Sequence, residues 1–382
     1  MRRQIFVGIV TAFLAVVSTH ASAAIWTGDG NANNNGDWSN PANWGGTAPG
    51  GTDDVVLPGV DGQGDSGTDA RTVTVDADVT VNGLTFEDSS EPFSSVLQVD
   101  QKLTINGPFS AGARSAFSGA GHVVVHQDAS PGESPNFTGE WEINGGTTTV
   151  GYSQELRSAE VRVNAGATYR QGYRHLQSTA DFGSTVYLNG GTLDPGTLGH
   201  WSRRMTSDTA IVLEDASEIY VDFRDYSNGE LITLTSDMTG AGGFDKTGPS
   251  WLRLTGQSTY TGPTVVSSGT LEVQGVLHNS HITIQDGAAL IGGRGSFPAG
   301  VTDLSGAFDP DEQWSGGGNT NNSGNWSETS NWFDGVKPGP SDVALLGPVT
   351  GQGGNGTDTR TVTVDETTEI AELKLVTSTL DP

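Results

Sequence analysis

The chain has 382 residues, no cysteine, 55 glycines and a formal net charge of −27. That acidity excludes a nucleic-acid binder, whose phosphate contacts demand a basic footprint, and the missing thiols exclude disulfides as a source of stability. Glycine at twice its usual share of ~7%, spread between short runs of Val, Thr, Leu and Ile, spells many short strands joined by tight turns; no segment after the N-terminal one has the period of a three-turn amphipathic helix.

Residues 1–23 read as an export signal: Arg2 and Arg3 precede an apolar run from Ile5 to Val17, and Ala21-Ser22-Ala23 is a small-residue cleavage site. The apolar run is shorter than the ~18 residues of a membrane span. Removing Arg2 and Arg3 leaves 16 Lys+Arg against 45 Asp+Glu, a balance of −29. The expected product is therefore a secreted or surface-exposed protein without a transmembrane segment.

Residues 24–100 form a Trp-bearing block that is written a second time over 306–382. The first copy runs Trp26-Thr-Gly, Trp38-Ser-Asn-Pro-Ala-Asn-Trp44, Asp54-Val-Val-Leu57 and Arg71-Thr-Val-Thr-Val-Asp76. The second runs Trp314-Ser-Gly, Trp326-Ser-Glu-Thr-Ser-Asn-Trp332, Asp342-Val-Ala-Leu345 and Arg360-Thr-Val-Thr-Val-Asp365. The offset is 288 at the tryptophans (314 − 26) and 289 at the hexapeptide (360 − 71), so the copies differ by a single insertion. Self-similarity of this kind marks a modular array. The six matched tryptophans have two readings: exposed rings for stacking on sugars, or the core and end-cap of a small block poor in Leu and Ile. The second is expected. Loops such as Asp29-Gly-Asn31, Asp61-Gly-Gln-Gly-Asp65 and Asp309-Pro-Asp311-Glu312 carry Ca²⁺-type oxygen donors, yet Asp29 and Asp65 correspond to Gly317 and Gly354 in the second copy. They read as solvated turns, and no metal or other cofactor is expected.

Over 101–305 a phrase recurs: apolar-x-apolar, Asn or another polar residue, a Gly turn, then a second short strand. It stands at Trp141-Glu-Ile143-Asn144, Val161-Arg-Val163-Asn164, Val186-Tyr-Leu188-Asn189 and, more loosely, Ile211-Val-Leu213-Glu214, so its polar position recurs at a nearly even step. The next instance, Thr264-Val-Val266-Ser267, puts the polar position at 267, and the gap from 214 leaves room for another coil around Leu231-Ile-Thr-Leu234. Such steps suit a parallel β-solenoid, in which equivalent residues stack ~4.8 Å apart. Asn144, Asn164 and Asn189 should then form a corner ladder bonded to backbone that the turn leaves free. A sandwich of antiparallel strands is the competing fold.

Two constellations in this stretch could carry chemistry. Tyr169, Arg170, Tyr173, Arg174 and His175, with His200, Trp201, Arg203 and Arg204, make a basic and aromatic concentration; 7 of the 16 mature basic residues fall between 157 and 224. Arginines on carboxylate or sulfate beside stacking rings would suit an anionic glycan, and the competing reading pairs them with acids such as Glu155, Glu160 and Asp208. Asp222, Arg224 and Asp225 form the one compact carboxylate/Arg cluster and are the weak catalytic candidates. No Ser/His/Asp arrangement or His metal pair has recognisable spacing.

The segment Gly240-Ala-Gly-Gly-Phe244-Asp-Lys246-Thr-Gly248, Leu252-Arg-Leu254-Thr-Gly256, Tyr260-Thr-Gly262 and Gly269-Thr-Leu271-Glu-Val273 resembles the autotransporter-associated β-strand repeat. Nearly every element of that family's phrase stands here in order across 240–273. Asn136-Phe-Thr-Gly139 with Gly146-Thr-Thr-Thr-Val150 is a weaker instance. The resemblance implies a right-handed β-helix displayed outside the cell, as in autotransporter passengers. The family's C-terminal translocator is not written here, and the second Trp block breaks off soon after Leu373-Lys-Leu375, so the sequence reads as truncated.

The expected fold is thus all-β: a right-handed parallel β-helix over 101–305, flanked by two Trp-bearing β modules. The expected role is non-catalytic, structural or adhesive display, with extracellular polysaccharide or a cell-surface glycan as the partner class. A polysaccharide lyase or glycoside hydrolase on the same scaffold is the alternative.

Overall fold

The computed structural model describes residues 23–28, 35–60, 70–89, 94–112, 114–131, 134, 136–150, 156, 158–171, 183–195, 204–222, 231–291, 299–303, 314, 324–332, 337–339, 343–346, 361–370 and 372–375. Residues 1–22, on which the expected export signal falls, lie outside them, and the first described strand begins at Ala23. Among the described residues the chain is all-β apart from two short 3₁₀ turns at Pro41–Trp44 and Thr329–Asn331. No helix among them is long and apolar enough to cross a membrane.

Parallel pairing dominates. One eight-stranded sheet, hereafter the first long sheet, takes Val79–Val81, Lys102–Ile105, His122–Val125, Glu140–Ile143, Glu160–Asn164, Thr185–Asn189, Ala210–Asp215 and Met238–Gly240 in spatial and sequence order alike. The second long sheet runs in the same way from Gly146–Val150 to Val301–Asp303, and a five-stranded sheet from Arg204–Ser207 to Ala289–Ile291. Two further sheets, of four and five strands, serve the N-terminal third. Over 210–254 the chain visits three sheets in a repeated order. Ala210–Asp215, Ser217–Tyr220 and Leu231–Leu234 belong to the first long, second long and five-stranded sheets, and Met238–Gly240, Phe244–Thr247 and Trp251–Leu254 repeat the sequence. The strands at 141–143, 161–163 and 186–188 pair in parallel, which removes the sandwich alternative. At Leu231–Leu234, where another coil is expected, a strand pairs in parallel with Arg204–Ser207 and Trp251–Leu254.

Alternation decides which side chains enter the core. Leu103, Val123, Trp141, Val161, Val186 and Ile211 share one register row and are all buried, as are Ile105, Val125, Ile143, Val163, Leu188 and Leu213 two positions on. Each such side chain contributes about 1.5–3 kcal/mol on burial, and β-branched residues suit the pleated surface. Where the N-terminal sheets end, Phe86, Phe109, Phe117, Phe137 and Trp141 fill the interior with edge-to-face contacts, the Phe117 and Trp141 centroids lying 5.2 Å apart. A single apolar core runs from Trp26 to Leu290. It crosses residue 100 without a break, because Ser94–Val99 pairs with Ser115–Gly119.

The second Trp block has its own small core of Trp314, Trp326, Trp332, Ala344 and Leu346. Its strands Gly324–Asn325 and Val362–Thr363 pair, as do Val343–Leu346 and Glu372–Leu375, repeating two pairings of the first block. Val364 and Leu373 are 59% and 47% exposed, whereas Val75 and Leu84, their counterparts in the first block, are fully buried. The cause is stacking: Val75 pairs with Val99 and Leu84 with Phe109 on following strands. No strand follows Glu372–Leu375 among the described residues.

Candidate functional site

The outward face of the first long sheet is where polar side chains gather. Period two places His122, Glu140 and Glu160 in one row, Glu142, Arg162 and Tyr187 in the next, and Asn144, Asn164 and Asn189 beyond. Arg162 ties the rows together. Its Nε donates to Glu140 Oε1 at 2.9 Å, its Nη1 pairs with Glu214, and its guanidinium lies 4.7 Å from the Tyr187 ring centroid. Burial alone would lower the Arg162 pKa, but its bond to Glu140 and the charge of Glu214 outweigh that and raise it. His122 Nε2 stands 2.8 Å from Glu142 Oε2 and 3.9 Å from Glu140 Oε2. These three side chains each offer one metal-ligating atom within a 4.8 Å cluster. Sequence reasoning passes over them because His122 is remote from Glu140 and Glu142 along the chain and meets them only once the strands are in register. Comparing Val123-Val-Val125 with Trp141-Glu-Ile143 would have exposed the alignment.

The asparagine ladder is real, with a different bonding scheme from the one expected. Asn189 Nδ2 donates to Asn164 Oδ1 at 2.8 Å, and Asn164 Nδ2 donates to Asn144 Oδ1 at 2.5 Å. The amides therefore satisfy one another along the stack, in place of turning to the free backbone of the corner. The fourth rung is Asp215, in place of the expected Glu214, because the register shifts between Leu188 and Asn189.

The basic and aromatic concentration is only partly described. Tyr169 lies on Ala167–Gln171, whose alternation turns Ala167, Tyr169 and Gln171 inward, and its ring is fully buried. It cannot stack on a ligand at the surface. Arg170 faces outward and its Nε donates to Asp194 Oδ2 at 2.7 Å, across the register pair of adjacent strands. Tyr173, Arg174, His175, His200, Trp201 and Arg203 lie outside the described residues. Arg204 is described by strand position alone, opposite Leu231. Of the weak catalytic candidates, Asp222 accepts from the Tyr220 hydroxyl at 3.0 Å, while Arg224 and Asp225 lie outside the described residues, as do the loops at 29–34, 61–69 and 304–313.

The tryptophans are structural. All six are buried. Trp44 Nε1 donates to Trp38 O at 2.7 Å and Trp332 Nε1 to Trp326 O at 2.9 Å. In each block the serine after the second tryptophan donates its N–H and hydroxyl to the aspartate that ends the hexapeptide: Ser39 to Asp76, and Ser327 to Asp365. Burial would raise the Asp76 pKa, but the Ser39 bonds hold it below the usual range; the hydroxyl and N–H of Ser327 do the same for Asp365. Ala23–Ile25 and Gly36–Asp37 are end strands of their sheets, so the first tryptophan cluster caps the array where its core would otherwise meet water.

The chemistry-bearing residues of the 240–273 phrase are likewise spent on the scaffold. Lys246 is fully buried and its Nζ donates to the carbonyls of Thr247 (2.9 Å), Gly248 (2.6 Å) and Ser268 (2.9 Å), three donors for three acceptors on two successive coils. Burial pushes its pKa down to about 7, against the pull of the Asp245 carboxylate. Gly269 has φ of +67°, and a Cβ there would stand 2.5 Å from Gly248 O and 2.8 Å from Lys246 Nζ, so the turn admits only glycine. The Tyr260 hydroxyl lies 2.6 Å from Thr264 Oγ1, which lies 2.7 Å from Ser280 Oγ; burial pushes the phenol up to about 12. Arg253 and Glu272, the variable positions in Leu-x-Leu and Leu-x-Val, form a buried ion pair of 2.9 and 2.8 Å with side chains only 8% and 2% exposed.

Comparison with the curated proteins and with the solved structures finds no match. One family model does match, over residues 244–273, and it covers Lys246, Arg253, Tyr260, Gly269 and Glu272 alike. The segment Phe244–Val273 is a passenger-associated-transport-repeat, the type of repeat carried by autotransporter passengers.

Proposed function

We propose that this protein is a secreted or cell-surface structural protein in which the parallel sheets close into a right-handed β-helix and serve as a stiff, non-catalytic display element. The observation that carries the reading is the passenger-type repeat at 244–273, whose Lys, Tyr, Arg and Glu side chains are all engaged in packing or in bonds to the scaffold. The repeated order in which 210–254 visits three sheets supports closure, and the export-type pattern of residues 1–23 supports an extracellular site. The role is adhesive: the array holds outward rows of polar side chains at ~4.8 Å intervals for contact with matrix, glycan or a neighbouring cell.

The test is direct. Purified protein should bind an extracellular polysaccharide or a cell-surface glycan on an array, and should leave uronate polysaccharides intact. Release of unsaturated or reducing ends that is lost in Asp222→Ala would overturn the non-catalytic reading and locate a lyase or hydrolase site.

A further inference from the structure

We propose that His122, Glu140 and Glu142 bind a divalent transition-metal ion of the zinc class on the outward face of the first long sheet. His122 and Glu140 are register partners on adjacent strands, and Glu142 follows two positions along the same strand, on the same face. Their ligating atoms, one from each, lie within 4.8 Å of one another.

Three further observations point to a cation between them. His122 Nε2 is shielded from water and, although Glu142 Oε2 is 2.8 Å away, meets no acceptor in hydrogen-bond geometry. A short separation with a poor angle is what two donors to a common ion would show. Each carboxylate has its other oxygen held from outside the cluster: Glu140 Oε1 accepts from Arg162 Nε at 2.9 Å, and Glu142 Oε1 from Asn164 Nδ2 at 3.2 Å. Those bonds fix both carboxylates with Oε2 turned toward the imidazole, the outer-shell support that orients metal ligands. Finally, two carboxylates converging on one ring nitrogen repel each other, and an ion of charge two removes that repulsion.

The donor set selects the metal class. One imidazole nitrogen and two carboxylate oxygens suit zinc-like ions with water completing the shell. Calcium takes six to eight oxygens and has no use for the imidazole. Because the ligands come from consecutive coils, the ion would staple strand His122–Val125 to strand Glu140–Ile143.

Isothermal titration of the tag-free, chelator-treated protein with zinc ion alone tests this. One zinc per chain is expected, with at least tenfold weaker binding in His122→Ala and in Glu142→Gln and unchanged binding in His126→Ala, an exposed histidine just beyond the same strand. Zinc should also raise the melting midpoint of the wild type and not of His122→Ala. Zinc uptake that fails to saturate near one per chain, or that is equal in wild type and His122→Ala, would overturn the proposal. The substitutions are at partly exposed positions, and circular dichroism distinguishes lost binding from lost folding.

Discussion

The Arg253–Glu272 pair offers a sharp test of the packing described for the repeat. Alternation along Trp251–Leu254 and Thr270–Val273 assigns both residues to the outward face, where an ion pair contributes ~0–1 kcal/mol. The structure instead leaves them 8% and 2% exposed, with Glu272 Oε2 on Arg253 and Oε1 accepting from Gln274 Nε2 at 2.7 Å. Arg253→Met strands a buried carboxylate, and breaking one side of such a pair costs about 3–5 kcal/mol. Replacing both by Arg253→Met with Glu272→Met removes the two desolvation penalties together and should cost under ~2 kcal/mol. The two single costs should therefore overshoot the double by at least ~4 kcal/mol. Amide hydrogen exchange of 252–254 and 271–273 reads the opening free energy where the pair sits, which suits an array better than a global melt. A cost below ~1 kcal/mol for Arg253→Met, or a double variant as unstable as the summed singles, would refute the buried pair.

Two other expectations follow from the scaffold bonds. Asn164→Ala removes the donor to Asn144 and to Glu142 and the acceptor for Asn189; at about 1 kcal/mol per side-chain bond, it should lower stability in urea by ~3 kcal/mol, and an unchanged midpoint would remove the ladder from the energetics. Lys246 has a folded pKa of about 7 against 10.5 for the free side chain, so between those values the unfolded chain holds the extra proton and raising the pH stabilises the fold. Stability measured from pH 7 to 10 should therefore climb, and Lys246→Met should flatten that climb; a slope that survives the substitution would show that another group sets it.

What can be read from the sequence is the part in which each coil repeats its neighbour. The Asn phrase recurs at a nearly constant step, so parallel pairing and the ladder follow from letters alone. The bulge after Leu188 does not, since an added residue changes register without changing the phrase, and it moves the fourth rung from Glu214 to Asp215. Tyr169 is misread for the opposite reason. Its own strand states the answer, because Ala167, Tyr169 and Gln171 share one face, but the local density of Arg and Tyr draws attention from the alternation. The cluster at His122 is invisible because its strand, His122-Val-Val-Val, lacks the Asn phrase that aligns the others. Arg253 and Glu272 obey the alternation and are buried nonetheless, so burial there depends on packing outside the two strands themselves.

A stacked parallel array has a standing difficulty that explains where its polar residues go. Every corner breaks the ladder and leaves carbonyls and N–H groups that water cannot reach once the next coil is in place, and each costs as much as a lost hydrogen bond. Lys246 closes three such carbonyls at one corner, whereas the asparagines of the ladder satisfy one another and Ser39 binds Asp76 at the exposed entry to the array. The one lysine, one tyrosine and one glutamate of the 244–273 segment each have polar partners within the scaffold. The outward face is the one these bonds leave open, where period two places a side chain at every second position of each strand. On the first long sheet that face is not uniform: His122, Glu140, Glu142 and Arg162 occupy adjacent rungs while Ala210 and Val212 occupy the same two rows farther along. The outward face therefore differs from coil to coil where the chain departs from its repeat, and the His122 cluster is one such departure among the described residues.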